Sequence, residues 1–133
     1  MWRIEFVSDR FSPYLPEEAQ QNPGCYGFEL ADWLARQLVR QGLVTSYPLG
    51  EDWGWFIEFF EGKTEIMIGC RSEASAGDGY TGRAISWRIF VRHRRTMSER
   101  LKRAPPSRKV DELARATEAA LRGEGIEPSL SQP

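Results

Sequence analysis

Two runs of strand-type residues, 51–60 and 64–70, meet across Glu61-Gly62-Lys63 and constrain the fold of this chain more than any other stretch. Successive strand side chains point to opposite sides of a sheet. Trp53, Trp55, Ile57 and Phe59 therefore share one face of the first run, and Thr64, Ile66, Ile68 and Cys70 share one face of the second. A short link containing glycine suits a hairpin, and aromatic and β-branched pairs facing across it contribute from a few tenths to about 1 kcal/mol each. Phe56 and Phe60 fall on the opposite face, where they need cover from the last helix or from another molecule.

The rest of the chain supplies elements to pack on this hairpin. Residues 2–7 alternate, with Trp2, Ile4 and Phe6 on one side and Arg3 and Glu5 on the other, as a half-buried strand requires. A long proline- and glycine-rich loop follows, in which residues 17–21 suit a single helical turn. Helical spacing of Leu30, Ala31, Leu34, Leu38 and Val39 predicts a helix over 27–41, closed by Gly42 with Leu43 as its apolar partner. A short strand is expected at 43–47 before Pro48 and Gly50 break it, and another at 84–93, where Ile85, Trp87, Ile89 and Val91 alternate with Ser86, Arg88 and Arg92. Ser107 is the expected N-cap of a last helix over 108–122 that Gly123 stops, and 124–133 has the composition of a flexible tail. Consecutive strands with helices set apart define the α+β class. The expectation is one domain over 1–123, an antiparallel meander sheet of about five strands, with one helix after the first strand and a C-terminal helix packed on the sheet.

With 133 residues the chain can bury a core without disulfides or metal. Its five tryptophans each cover roughly 150–250 Å², on the order of 4–6 kcal/mol of burial before entropy is subtracted, so most belong inside. The alternating start reads as a strand and not a signal peptide, and no segment approaches the roughly 18 apolar residues of a membrane span. Cys25 and Cys70 suggest neither a metal knuckle nor a disulfide framework, and two thiols in a cytoplasmic protein, with a single bridge as the alternative, are expected.

The net charge of −1 hides an uneven distribution. Residues 1–82 carry six basic against thirteen acidic side chains, 83–109 carry ten basic against Glu99 alone, and 110–133 carry two against five. An acidic body thus bears one concentrated basic segment. Arg88 and Arg92 project from one strand face about 13 Å apart by strand rise, and Arg94 and Arg95 continue the charge.

Other motifs point less far. Residues 77–82 spell GxGxxG, but the dinucleotide use of that string needs a helix N-terminus after it, and here a strand follows. His93 is the sole histidine, so any thiol nucleophile at Cys25 would have to use it, and no spacing specifies that pair. No zinc, EF-hand or paired-carboxylate pattern is present, and no cofactor is implied. Glu51, Asp52, Glu58 and Glu61 form a candidate acidic patch whose plain reading is solvated carboxylates.

These features predict a small cytoplasmic interaction or regulatory domain of accessory, inhibitor or immunity type, with another protein or a second copy of itself as partner, no membrane, and no catalysis. Arg88, Arg92, Arg94 and Arg95 are its expected binding residues. Nucleic-acid binding through 83–109 is the alternative, which a sequence pI near 5.9 disfavours. A small enzyme or ligand binder with a pocket between helix and sheet is the third reading.

Overall fold

The computed structural model describes residues 1–20, 25–73, 82–94 and 108–133. Its elements run β1 (Trp2–Ser8), α1 (Phe28–Arg40), β2 (Leu49–Glu51), β3 (Gly54–Glu61), β4 (Thr64–Ser72), β5 (Ile85–Arg94), α2 (Arg108–Gly123) and β6 (Ser129–Ser131), with a 3₁₀ turn at Glu17–Ala19. The strands form one antiparallel sheet in the order β2-β3-β4-β5-β1-β6, and the fold is α+β with the meander expected from sequence.

The central hairpin forms with Ile57 opposite Ile68, Phe59 opposite Ile66 and Trp55 opposite Cys70, across a two-residue turn at Gly62 and Lys63. Both helices lie on this side. Leu30, Leu34 and Leu38 of α1 and Leu113 and Leu121 of α2 join Ile4, Ile57, Ile68, Trp87 and Ile89 in one core of fully buried side chains. Further contacts seat α2. Gln41 Nε2 donates to the Ala116 carbonyl at 3.1 Å, Trp2 Nε1 donates to Asp111 at 2.7 Å, and the Arg115 guanidinium lies 4.9 Å from the Trp2 ring.

Four expectations are corrected. The strand expected at 43–47 is displaced to β2 at Leu49–Glu51, because Ser46 bonds to Glu58 through both backbone and hydroxyl and holds the preceding segment irregular. β2 and β3 make a hairpin of their own, so the run 51–60 is not one strand. Asp52 and Trp53 form the turn, and Trp53 crosses to the side opposite Trp55. Gly123 belongs to the last turn of α2, whose stop is Gly125 at φ +79. There Ile126 N–H bonds to Leu121 C=O and Gly125 N–H to Arg122 C=O, a Schellman closure that the left-handed residue makes possible. The same closure ends α1 at Gly42, as its sequence predicts.

The fourth correction follows from the third. Ile126 is buried against the core, and the chain beyond it returns to the sheet. Residues 124–133, expected as a flexible tail, carry β6, which pairs with β1 as Arg3 to Ser131, Ile4 to Leu130 and Glu5 to Ser129. The sheet therefore has six strands. Ser107 and the GxGxxG glycines before Gly82 lie outside the described residues.

The helix-free face of the sheet as candidate binding site

With α1 and α2 on one side, the other side of the sheet carries no helix among the described residues, and its composition follows from the register. Across β3, β4, β5 and β1 one rung reads Phe56, Gly69, Phe90, Arg3. The rung on one side reads Glu58, Met67, Arg92, and on the other Arg71, Arg88, Glu5. Glu65 and Arg94 pair at the far end. Arg88 and Arg92 thus share this face, as their spacing predicts, and Arg94, expected in a link beyond the strand, joins them as the last residue of β5. Arg95 lies outside the described residues.

The rings form a floor. Gly69 is the residue between the two phenylalanines because the Phe90 ring lies over it, and a Cβ built there would meet ring carbons at 2.1 and 2.3 Å. Trp53, carried to this side by the turn, packs tilted against them, its ring centroid 5.0 Å from Phe90 and 6.3 Å from Phe56. Phe56 is 5 % exposed and Met67 2 %, so the open face has a small apolar layer of its own, roofed by an indole. Phe60, by contrast, is 57 % exposed.

Above the floor the arginines divide into two kinds. Arg94 meets Glu65 at 3.2 Å and Glu58 at 3.5 Å; Arg88 meets Glu5 at 3.5 Å and Glu73 at 3.6 Å; Arg71 reaches Glu73 at 3.8 Å. Burial beside Glu65 pushes the Glu58 carboxyl above its ordinary range, against the pull of Arg94. Arg3 and Arg92 have no carboxylate at ion-pair distance among the described residues. Arg92 lies 5.7 Å from the Phe90 ring and 3.9 Å from the Met67 sulfur. Of the expected binding residues on this face, Arg88 and Arg94 thus meet carboxylates of their own sheet and Arg92 does not among the described residues.

A cavity of about 240 Å³ opens at this point, lined by Met1, Arg3, Trp53, Arg71, Arg88, Phe90 and Arg92. Among the described residues four guanidiniums and two rings line it, and no carboxylate does. The Nε atoms of Arg71 and Arg88 are buried without a hydrogen-bond acceptor. Such an arrangement can hold an anion by charge-assisted, fork-shaped hydrogen bonds over an apolar base. Arg3, Arg71 and Trp53 were missed by sequence reasoning as site residues. The alternation placed Arg3 on the outer side of β1, but its neighbours come from strands remote in sequence.

The other candidates do not assemble. Tyr26, next to Cys25, bonds to Ser72, which pairs with Trp87, so His93 lies six residues further along β5, about 20 Å away by strand rise. Both cysteines are free, and burial pushes the Cys70 thiol far up, leaving it a poor nucleophile. Of the acidic candidates, Glu61 pairs with Lys109 and Glu58 with Arg94, while Glu51 and Asp52 are exposed near the turn. No group of three metal-ligating side chains occurs among the described residues. A second cavity, about 350 Å³, lies between residues 10–14 and α1, and its carboxylates serve the fold. Asp32 pairs with Arg36 and Glu124 with Arg10, and buried Glu29 accepts the Tyr14 and Leu15 N–H groups, its carboxyl pushed up by that burial.

Among the described residues no helix is long and apolar enough to cross a membrane. The chain matches no family model, no curated protein and no solved structure.

Proposed function

We propose that the chain is a non-catalytic protein-binding module of regulatory, inhibitor or immunity type that engages its partner through the helix-free face of the sheet. The observation that carries this reading is that Trp53 and Arg92 both lie against Phe90 and line one cavity: a half-buried indole and an exposed guanidinium that no carboxylate of the described chain neutralises. Tryptophan and arginine are the residues that most often dominate binding energy at protein interfaces. The charges around them are mixed, with Arg3, Arg71, Arg88, Arg92 and Arg94 interleaved with Glu5, Glu58, Glu65 and Glu73. Such a mosaic suits a protein surface better than a phosphate backbone, which four carboxylates would repel. A cytoplasmic setting fits the two free thiols.

The test is affinity capture from the source cells with the full chain as bait, comparing wild type with Trp53→Ala, Arg92→Glu and the outer-helix control Arg36→Glu. A partner identified by mass spectrometry should be lost with the first two and kept with the third. A partner held equally by all four baits refutes the use of this face. Sedimentation of the same proteins decides whether a second copy is the occupant.

A further inference from the structure

Resting on the reading of this face as a protein-docking surface, we infer that its cavity is a receptor for an extended acidic segment of the partner, with carboxylates at alternate positions seated on Arg3 and Arg92. Three observations converge on it.

The first is charge. Of the four arginines lining the cavity, Arg71 and Arg88 share Glu73, and Arg88 also meets Glu5, whereas Arg3 and Arg92 have no such partner among the described residues. Two positive charges remain for a ligand to neutralise.

The second is spacing. Arg3 stands opposite Phe90 across the β1–β5 ladder, and Arg92 is two residues along β5 from Phe90. Diagonal neighbours of this kind are about 7–8 Å apart. In an extended chain side chains at i and i+2 lie on one side roughly 6.6 Å apart by strand rise. One acidic strand can therefore place a carboxylate on each guanidinium without distortion, which two adjacent acids, pointing to opposite sides, cannot.

The third is the lining between the two charges. Phe90 is the neighbour of both arginines, opposite Arg3 in register and two residues before Arg92, and Trp53 and Met1 line the same cavity, which gives the methylene stems of glutamates an apolar bed. A single-stranded nucleic acid fits less well. Phe56 and Phe90 are already roofed by Trp53, leaving one indole in place of a bank of stacking rings, and Glu5, Glu58, Glu65 and Glu73 would repel the strand beyond the cavity.

The experiment uses the isotope-labelled full chain and follows the side-chain Nε–H signals of Arg3 and Arg92 and the indole N–H of Trp53 by NMR. The probes are four: a capped pentapeptide with glutamates at its second and fourth positions, its glutamine counterpart, an isomer with the glutamates adjacent, and a ten-nucleotide oligothymidylate. The alternating peptide should shift all three signals saturably. The glutamine peptide should bind at least ten-fold more weakly, the adjacent isomer several-fold more weakly, and Arg3→Gln or Arg92→Gln should each weaken the alternating peptide about ten-fold while Arg122→Gln leaves it unchanged. Equal binding of the glutamine peptide, or no shift at Arg3 and Arg92, overturns the inference. Equal binding of the adjacent isomer overturns the spacing. Tighter binding of the oligonucleotide, with a log–log salt slope of about −3 as four contacts to a single strand require, reassigns the cavity to nucleic acid. Partner capture that depends on Trp53 but not on Arg3 or Arg92 sinks this inference and leaves the docking face standing; capture indifferent to every variant sinks both.

Discussion

The two faces of this sheet are built from the same strands and often from neighbouring residues, yet they solve different problems. On the helix side a rung reads Ile57, Ile68, Val91; one residue along, the open side reads Phe56, Gly69, Phe90, Arg3. The first is sealed by α1 and α2, and its side chains are buried to 0 % exposure. The second has no helix over it among the described residues and is made compatible with water from within, by an indole packed against two phenyl rings and by the Arg92 and Arg94 guanidiniums, 5.7 and 5.8 Å from the Phe90 and Phe56 ring centroids. The difference shows how one side of a sheet can hold the fold while the other stays open for binding: apolar packing carries stability on one, and charge over a thin apolar floor is left for recognition on the other.

The comparison breaks most readily at its two tryptophans. Trp87, 1 % exposed and 6.0 Å from Phe11 in the core, should cost about 3–5 kcal/mol when replaced by alanine, read by urea denaturation. Trp53→Ala should cost less than about 2 kcal/mol, because the indole is half-buried and no helix depends on it. Equal losses would mean that the open face is as structural as the covered one.

Gly69→Ala probes the floor. The new methyl would enter the Phe90 ring, so a loss of about 1–3 kcal/mol is expected in the wild-type background. With Phe90→Ala in place the same change should cost well under half as much, and an unchanged cost in that double-mutant cycle would show that the ring is not what excludes the side chain.

Smaller effects test the claim that the charges of the open face contribute little to folding. Arg94→Gln removes ion pairs of which the arginine is 41 % exposed, so stability should fall by no more than about 1 kcal/mol, less in high salt. The last effect is a pH dependence. Glu58 has a folded pKa raised above its unfolded value, so the native state binds the proton more tightly, and its contribution to stability is greatest when protonated and declines as pH rises through the carboxylate range. The stability of wild type minus that of Glu58→Gln should therefore fall from acidic toward neutral pH. A difference that rises with pH would show that attraction to Arg94 outweighs burial.

Local pattern carried much of this architecture. Helix α1 and its closure at Gly42, the β3–β4 hairpin, the alternation of β5 and the shared side of Arg88 and Arg92 are all legible in residue order, since they depend on periods of 3.6 and 2 and on single left-handed turns. The misread elements are those where a long-range contact overrides composition. A polar stretch became β6 because Ile126 found the core and the edge of β1 stood free to pair, and Trp53 left the core because β2 claimed the residues before it for a second hairpin.

Residue order by itself determined that this chain makes an antiparallel sheet with an apolar side and an arginine-bearing side, because side-chain alternation is a property of the backbone. Which side both helices would cover, and that Arg3, Arg71, Arg88 and Arg92 would converge around Trp53 and Phe90, was decided only in three dimensions. Those residues come from β1, β4, β5 and the β2–β3 turn, and it is strand order and register, set by the packing of the whole core, that bring them to one place.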